Sequence, residues 1–88
     1  MQNLKQIIDE IKDLKKDATH KSALRIFNLL GNNKKLFIKI IDQHNFEFIL
    51  KDFEKVAYKN PTAISDARGL EEFNKLCENL LFHCNRLV

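Results

Sequence analysis

The stretch GNNKKLFIKIIDQHNFEFILKDF, Gly31 to Phe53, decides the fold. It reads as a stop, a short apolar helix, a tight turn and a second apolar helix. Two architectures share that pattern: a helix-turn-helix that reads DNA, and two neighbouring staves of a helical bundle. The chemistry of the second helix separates them. With the turn aligned on His44, Ile40 stands where a small residue is wanted, and His44 stands where glycine is common. Leu50 and Phe53 fit the buried positions of a recognition helix. The outward residues are then Phe46 or Glu47, Phe48, Lys51, Asp52 and Lys55. Two acids and a phenylalanine make a poor groove reader, because phosphates repel carboxylates. The bundle is the better reading.

Outward from this stretch the same periodicity continues in both directions. Only two glycines and one proline punctuate 88 residues, and strand-like alternation is scarce. Leu4, Ile7, Ile11, Leu14 and Ala18 recur at threes and fours, which predicts a first helix over about Asn3 to Asp17. Its seam also suits a homodimer through Leu4, Ile7, Ile11 and Leu14, although packing against the rest of the chain is the default. Thr19 is a plausible N-cap for a second helix that turns Ala23, Ile26, Phe27 and Leu30 inward. Gly31 suits the left-handed stop that ends many helices. Asn32 or Asn33 then caps a third helix, Lys34 to Gln43. His44-Asn45 makes the turn to a fourth, Phe46 to Lys59. Asn60-Pro61 is the clearest break. A last helix follows from about Thr62 or Ser65 to Leu87, with Ile64, Leu70, Phe73, Cys77, Leu80, Cys84 and Leu87 among its inward residues. Gly69 lies inside it and weakens it by about 1 kcal/mol relative to alanine. The expected fold is all-α: a compact bundle of four to five helices, residues 1–88 forming a single domain.

Composition narrows the function classes. Apolar residues are 44% and charged residues 31%, an ordinary globular balance. No apolar run approaches the roughly 20 residues that span a bilayer. The N-terminal MQNLKQIIDEIKDLKKD carries charges throughout, unlike a secretory leader, so a cytoplasmic location is expected. Net charge is +3 but uneven: nine basic residues face five acidic ones up to His44, and six face seven thereafter. Lys12, Lys15, Lys16, Lys21, Arg25, Lys34, Lys35 and Lys39 form a candidate anion-binding patch over residues 12–39. A solvated helical surface explains the same lysines equally well. Single-stranded nucleic acid would further require aromatics interleaved with them. Only Phe27 and Phe37 lie there, and both read as core.

Motifs for chemistry are lacking. There is no glycine-rich phosphate loop, CxxC or HExxH. Cys77 and Cys84, seven residues apart, stand about 10.5 Å apart along a helix. That is too far for a disulfide or a shared zinc, so two buried thiols are expected. His83 and Cys84 are adjacent and point about 100° apart, so they do not converge on one metal. A cysteine nucleophile at Cys84 would need a histidine such as His44 or His20 from another element. No cofactor is expected.

Ile38, Phe48 and Phe82 fall off the inward stripes onto polar faces, and they form a candidate protein interface. The leading expectation is a small non-catalytic protein that binds another protein, with the basic rim favouring an acidic surface. Its size suits an adaptor, an immunity protein or a phage-type inhibitor. The alternative is nucleic-acid binding through a helix-turn-helix-like unit at residues 31–59 or through the lysine-rich region.

Overall fold

The computed structural model of the chain describes residues 3–59 and 67–85. Among them every regular element is helical: α1 (Leu4–Asp17), α2 (His20–Asn32), α3 (Lys34–Ile38), α4 (Gln43–Glu54), a π-helical segment (Lys55–Lys59) that continues α4, and α5 (Ala67–Asn85). The expected all-α bundle is what forms. No helix among the described residues is long and apolar enough to cross a membrane. The Asn60-Pro61 break, Ile64 and Leu87 lie outside the described residues.

The first two helices begin where their caps dictate. Asn3 and Gln6 exchange a capping box: the Gln6 N–H donates to Asn3 Oδ1 at 2.9 Å, and the Asn3 N–H donates to Gln6 Oε1 at 3.0 Å. Thr19 Oγ1 accepts from the Ser22 N–H at 3.1 Å and starts α2. Between them the chain reverses in two residues. Ala18 makes the reversal possible by adopting the left-handed conformation, φ 49° and ψ 49°, with its N–H returned to the Leu14 carbonyl at 3.0 Å.

Gly31 does not end α2. Its φ is not positive, and the helix runs through it to Asn32. The left-handed stop expected at Gly31 belongs instead to Ala18, while α2 ends at Asn33, whose N–H and Nδ2 both donate to the Leu29 carbonyl, at 3.1 and 2.9 Å.

The turn inside the diagnostic stretch also moves. α3 stops at Ile38 and a turn covers Lys39–Ile41, with the Phe37 carbonyl accepting from Ile40 and Ile41 at 3.0 and 2.7 Å. Asp42 then caps α4: its Oδ1 accepts from the Asn45 N–H at 2.9 Å and its Oδ2 from Asn45 Nδ2 at 2.7 Å. His44 and Asn45 therefore lie within α4, not in the turn. Asp42 is a stronger N-cap than His44, and the β-branched Ile38, Ile40 and Ile41 hold a helix poorly.

Packing follows from these starts. α1 and α2 run antiparallel as a hairpin, with Arg25 Nε donating to Glu10 Oε2 at 2.6 Å. α4 presents Phe46, Ile49 and Phe53 to the core, where Phe46 stacks on Phe37 at 6.0 Å and Phe53 meets Phe73 edge-on at 6.4 Å. α5 inserts Phe73, Cys77, Leu80 and Cys84. Its stripe runs back through the buried Gly69, so Leu70, expected inside, is 38% exposed. Ile7 and Ile11 of α1 are enclosed against α2 and α5, with Leu4 and Leu14 packed at the margin. The seam considered for a homodimer is thus occupied by the chain's own helices.

The π-helical segment accommodates one more residue per turn than the α-helix would allow. It packs on α2, burying Ala57 and setting Tyr58 edge-on to Phe27 at 5.5 Å.

Candidate functional site

The outer face of α4 and its π continuation carries the most distinctive surface chemistry. The buried stripe of α4 leaves His44, Glu47, Phe48, Lys51, Glu54 and Lys55 to solvent. Phe48 is 56% exposed and Tyr58 is 60% exposed. The Phe48 ring is steadied by His44, one helical turn before it, in an edge contact at 4.9 Å. Two shallow hollows adjoin on this face. One of about 150 Å³ is lined by His44, Glu47, Phe48 and Lys51. The other, about 390 Å³, is lined by Lys51, Glu54, Lys55 and Tyr58. Lys51 lines both hollows, and with Phe48 and Tyr58 it makes up the candidate patch.

The three residues expected as an interface have separate fates. Phe48 is exposed and central to the patch. Ile38 is half-buried and packs against the core, so it is no free anchor. Phe82 is 64% exposed on α5, where its ring meets its neighbour His83 at 5.8 Å; among the described residues no ring contact joins it to the α4 face. Tyr58 was missed by the sequence reading. The available signal was its position one residue beyond Val56-Ala57, outside the inward stripe.

The lysine-rich region does not form one patch. Lys12, Lys15, Lys16, Lys21 and Arg25 gather toward the α1–α2 turn, whereas Lys34, Lys35 and Lys39 lie past the far end of α2. The helix rise alone sets Lys34 about 13 Å from Arg25, the nearest member of the first group, and about 20 Å from Lys21. Two members are already engaged: Arg25 with Glu10, and Lys15 with Glu78 at 3.8 Å. The hydrogen bond and charge of Glu10 also raise the Arg25 pKa above its ordinary value. The helix-turn-helix alignment fails with its turn. α3 has five residues, and the solvent face of α4 sets Glu47 and Glu54 among its lysines.

The thiols are buried, and two of the carboxyls accept hydrogen bonds at helix starts. Burial pushes the Cys77 thiol up to about 12 and the Cys84 thiol up to about 11, so both are protonated at neutral pH and neither is a ready nucleophile. Asp17 receives hydrogen bonds from Ser22 Oγ at 2.8 Å and Thr19 Oγ1 at 3.0 Å. These hold its carboxyl below the ordinary value and satisfy the buried Ser22 hydroxyl. The Asn45 N–H does the same for Asp42. Among the described residues no three of His, Cys, Asp and Glu gather as metal ligands. His20 Nδ1 is a buried nitrogen with no hydrogen-bond partner there, at the first position of α2.

Compared with known proteins, the chain matches no family model, no curated protein and no solved structure.

Proposed function

We propose that the chain is a non-catalytic binding protein that docks another protein on the outer face of α4 and the π-helical segment. One observation carries the reading: two aromatic rings, Phe48 and Tyr58, stand more than half exposed on α4 and its π continuation, each beside a shallow hollow that Lys51 also lines. Aromatic side chains on a preorganised backbone lose little entropy on burial, and they dominate interface energetics. Glu47 and Glu54 line the same hollows as Lys51. Carboxylates in those positions would face phosphates in a nucleic-acid complex, so the mixed-charge patch fits a protein surface better. The protonated, enclosed thiols support a role without catalysis, and a cytoplasmic setting suits them.

The test separates interface from core by truncation. Phe48→Ala changes folding stability by less than about 0.5 kcal/mol, as expected of an exposed site. Phe46→Ala, two residues away and fully buried, costs about 3–5 kcal/mol. Partners captured from the source cell by the unmodified chain are then probed with the Phe48→Ala and Lys51→Glu variants, with the mass of each complex determined. Loss of a partner on a fully folded variant supports the reading. Retention of every partner by both variants refutes it. So does a duplex or single-strand gel shift at physiological salt that Lys51→Glu abolishes.

A further inference from the structure

A second surface lies away from the α4 face, where α1 begins beside the end of α2. There the chain leaves a groove of about 870 Å³, lined by Leu4, Gly31, Lys34, Lys35, Leu36 and three asparagines. The volume falls within the range of ligand-holding clefts. Three features define its chemistry. Its walls are mainly apolar, supplied by Leu4, Leu36 and the backbone of Gly31. Among the described residues no acidic side chain lines it, and neither Lys34 nor Lys35 makes an ion pair. One lining residue is an exposed glycine that the fold does not need. Gly31 is helical without a positive φ, and a Cβ added there meets nothing within 4 Å. Glycine in a helix weakens it, and close approach of a ligand to the backbone is one use that offsets that cost.

We propose that this groove takes an acidic segment of a partner protein, with one bulky apolar side chain seated over Gly31 and its carboxylates against Lys34 and Lys35. The bare glycine admits the anchor and the two lysines select the flanking charge. A phosphate backbone would satisfy the lysines but leave the apolar walls wet. This contact is independent of the α4 patch, since it uses none of the same residues.

The experiment uses the full chain, labelled with nitrogen-15, and a pool of synthetic nonapeptides. Each peptide has a central Leu, Phe or Trp flanked by Asp and Glu; a second pool has Lys and Arg flanks. The acidic pool shifts the amide signals of Gly31, Asn32 and Leu36 in a saturable, salt-sensitive way, and the basic pool does not. Gly31→Phe, which fills the groove from an open position, weakens that binding at least tenfold while its melting midpoint and helical circular dichroism stay close to those of the parent. Lys34→Glu with Lys35→Glu does the same through charge. Any of these results overturns the proposal: no groove shifts from the acidic pool at millimolar peptide, equal shifts from both pools, undiminished binding by folded Gly31→Phe, or groove shifts that follow protein concentration without peptide. The last would make a second copy of the chain the occupant. A short oligothymidylate that shifts the same amides more strongly than the acidic pool also overturns it.

Discussion

Replacing Gly31 by alanine stabilises this fold, and the sign of the effect is the point. Gly31 lies in the last turn of α2 with helical backbone, and the space where a Cβ would stand is open. Alanine there introduces no clash. It restricts the unfolded chain and raises helix propensity, together worth about 0.5–1 kcal/mol near a helix end. For a domain of this size that corresponds to a rise in melting midpoint of about 2–8 °C. A glycine serving as a left-handed stop gives the opposite result, because alanine in that conformation costs about 1–2 kcal/mol. Urea titration followed by circular dichroism at 222 nm distinguishes the two outcomes, with unchanged denaturant slope as the check that only stability moved. Destabilisation by alanine, with asparagine better tolerated than alanine, would refute both the helical placement of Gly31 and the argument that the fold does not need a glycine there.

Ala18 is the complementary case. Its φ of 49° strains an L-residue, so Ala18→Gly yields a net gain of about 0.5 kcal/mol in the same titration, after the entropy returned to the unfolded chain and the lost packing of a half-buried methyl are deducted. Acid sensitivity follows from Asp17 and Asp42. Both carboxyls are held below their ordinary value of 3.8 in the fold, so their contribution is complete above that pH and lost as pH falls through the lowered folded values. Denaturation midpoints therefore decline below about pH 4, and Asp17→Asn and Asp42→Asn each flatten that decline. Cys77 and Cys84 resist a thiol reagent at pH 8 in the native protein and react at a rate set by unfolding; fast labelling of either without denaturant would contradict their enclosure.

Where a residue type has one dominant use, the sequence reading located the structure to within a residue or two. Thr19 caps the helix expected of it, α1 starts within a residue of the expected Asn3, and Ile7, Ile11, Phe53, Cys77 and Cys84 occupy the core. It failed where two uses compete. Glycine signals both a helix stop and a vacant helix surface, and Gly31 is the second. The left-handed position fell to alanine, which carries no signature of that conformation. Asp42 and Asn45 both resemble caps, and in the fold Asn45 is the donor to Asp42, through its N–H and its Nδ2. The exposure of Leu70 and of Tyr58 went unread for a related reason. The α5 stripe tracks through Gly69, a residue with no hydropathy to reveal it. The π-helical turn breaks the 3.6-residue period by which side chains are assigned to faces.

The π-helical segment also fixes where light can report on the molecule. The chain has a single tyrosine and no tryptophan, and that tyrosine is held edge-on against Phe27 with most of its ring in water. Its ultraviolet emission arises from the very surface assigned to docking, with no second emitter within the chain to dilute it. A partner carrying tryptophan drains that emission by energy transfer, and a carboxylate brought to the phenol quenches it. Association is thereby visible in unlabelled material, and silence from Tyr58 during a confirmed association would mean that the contact lies elsewhere.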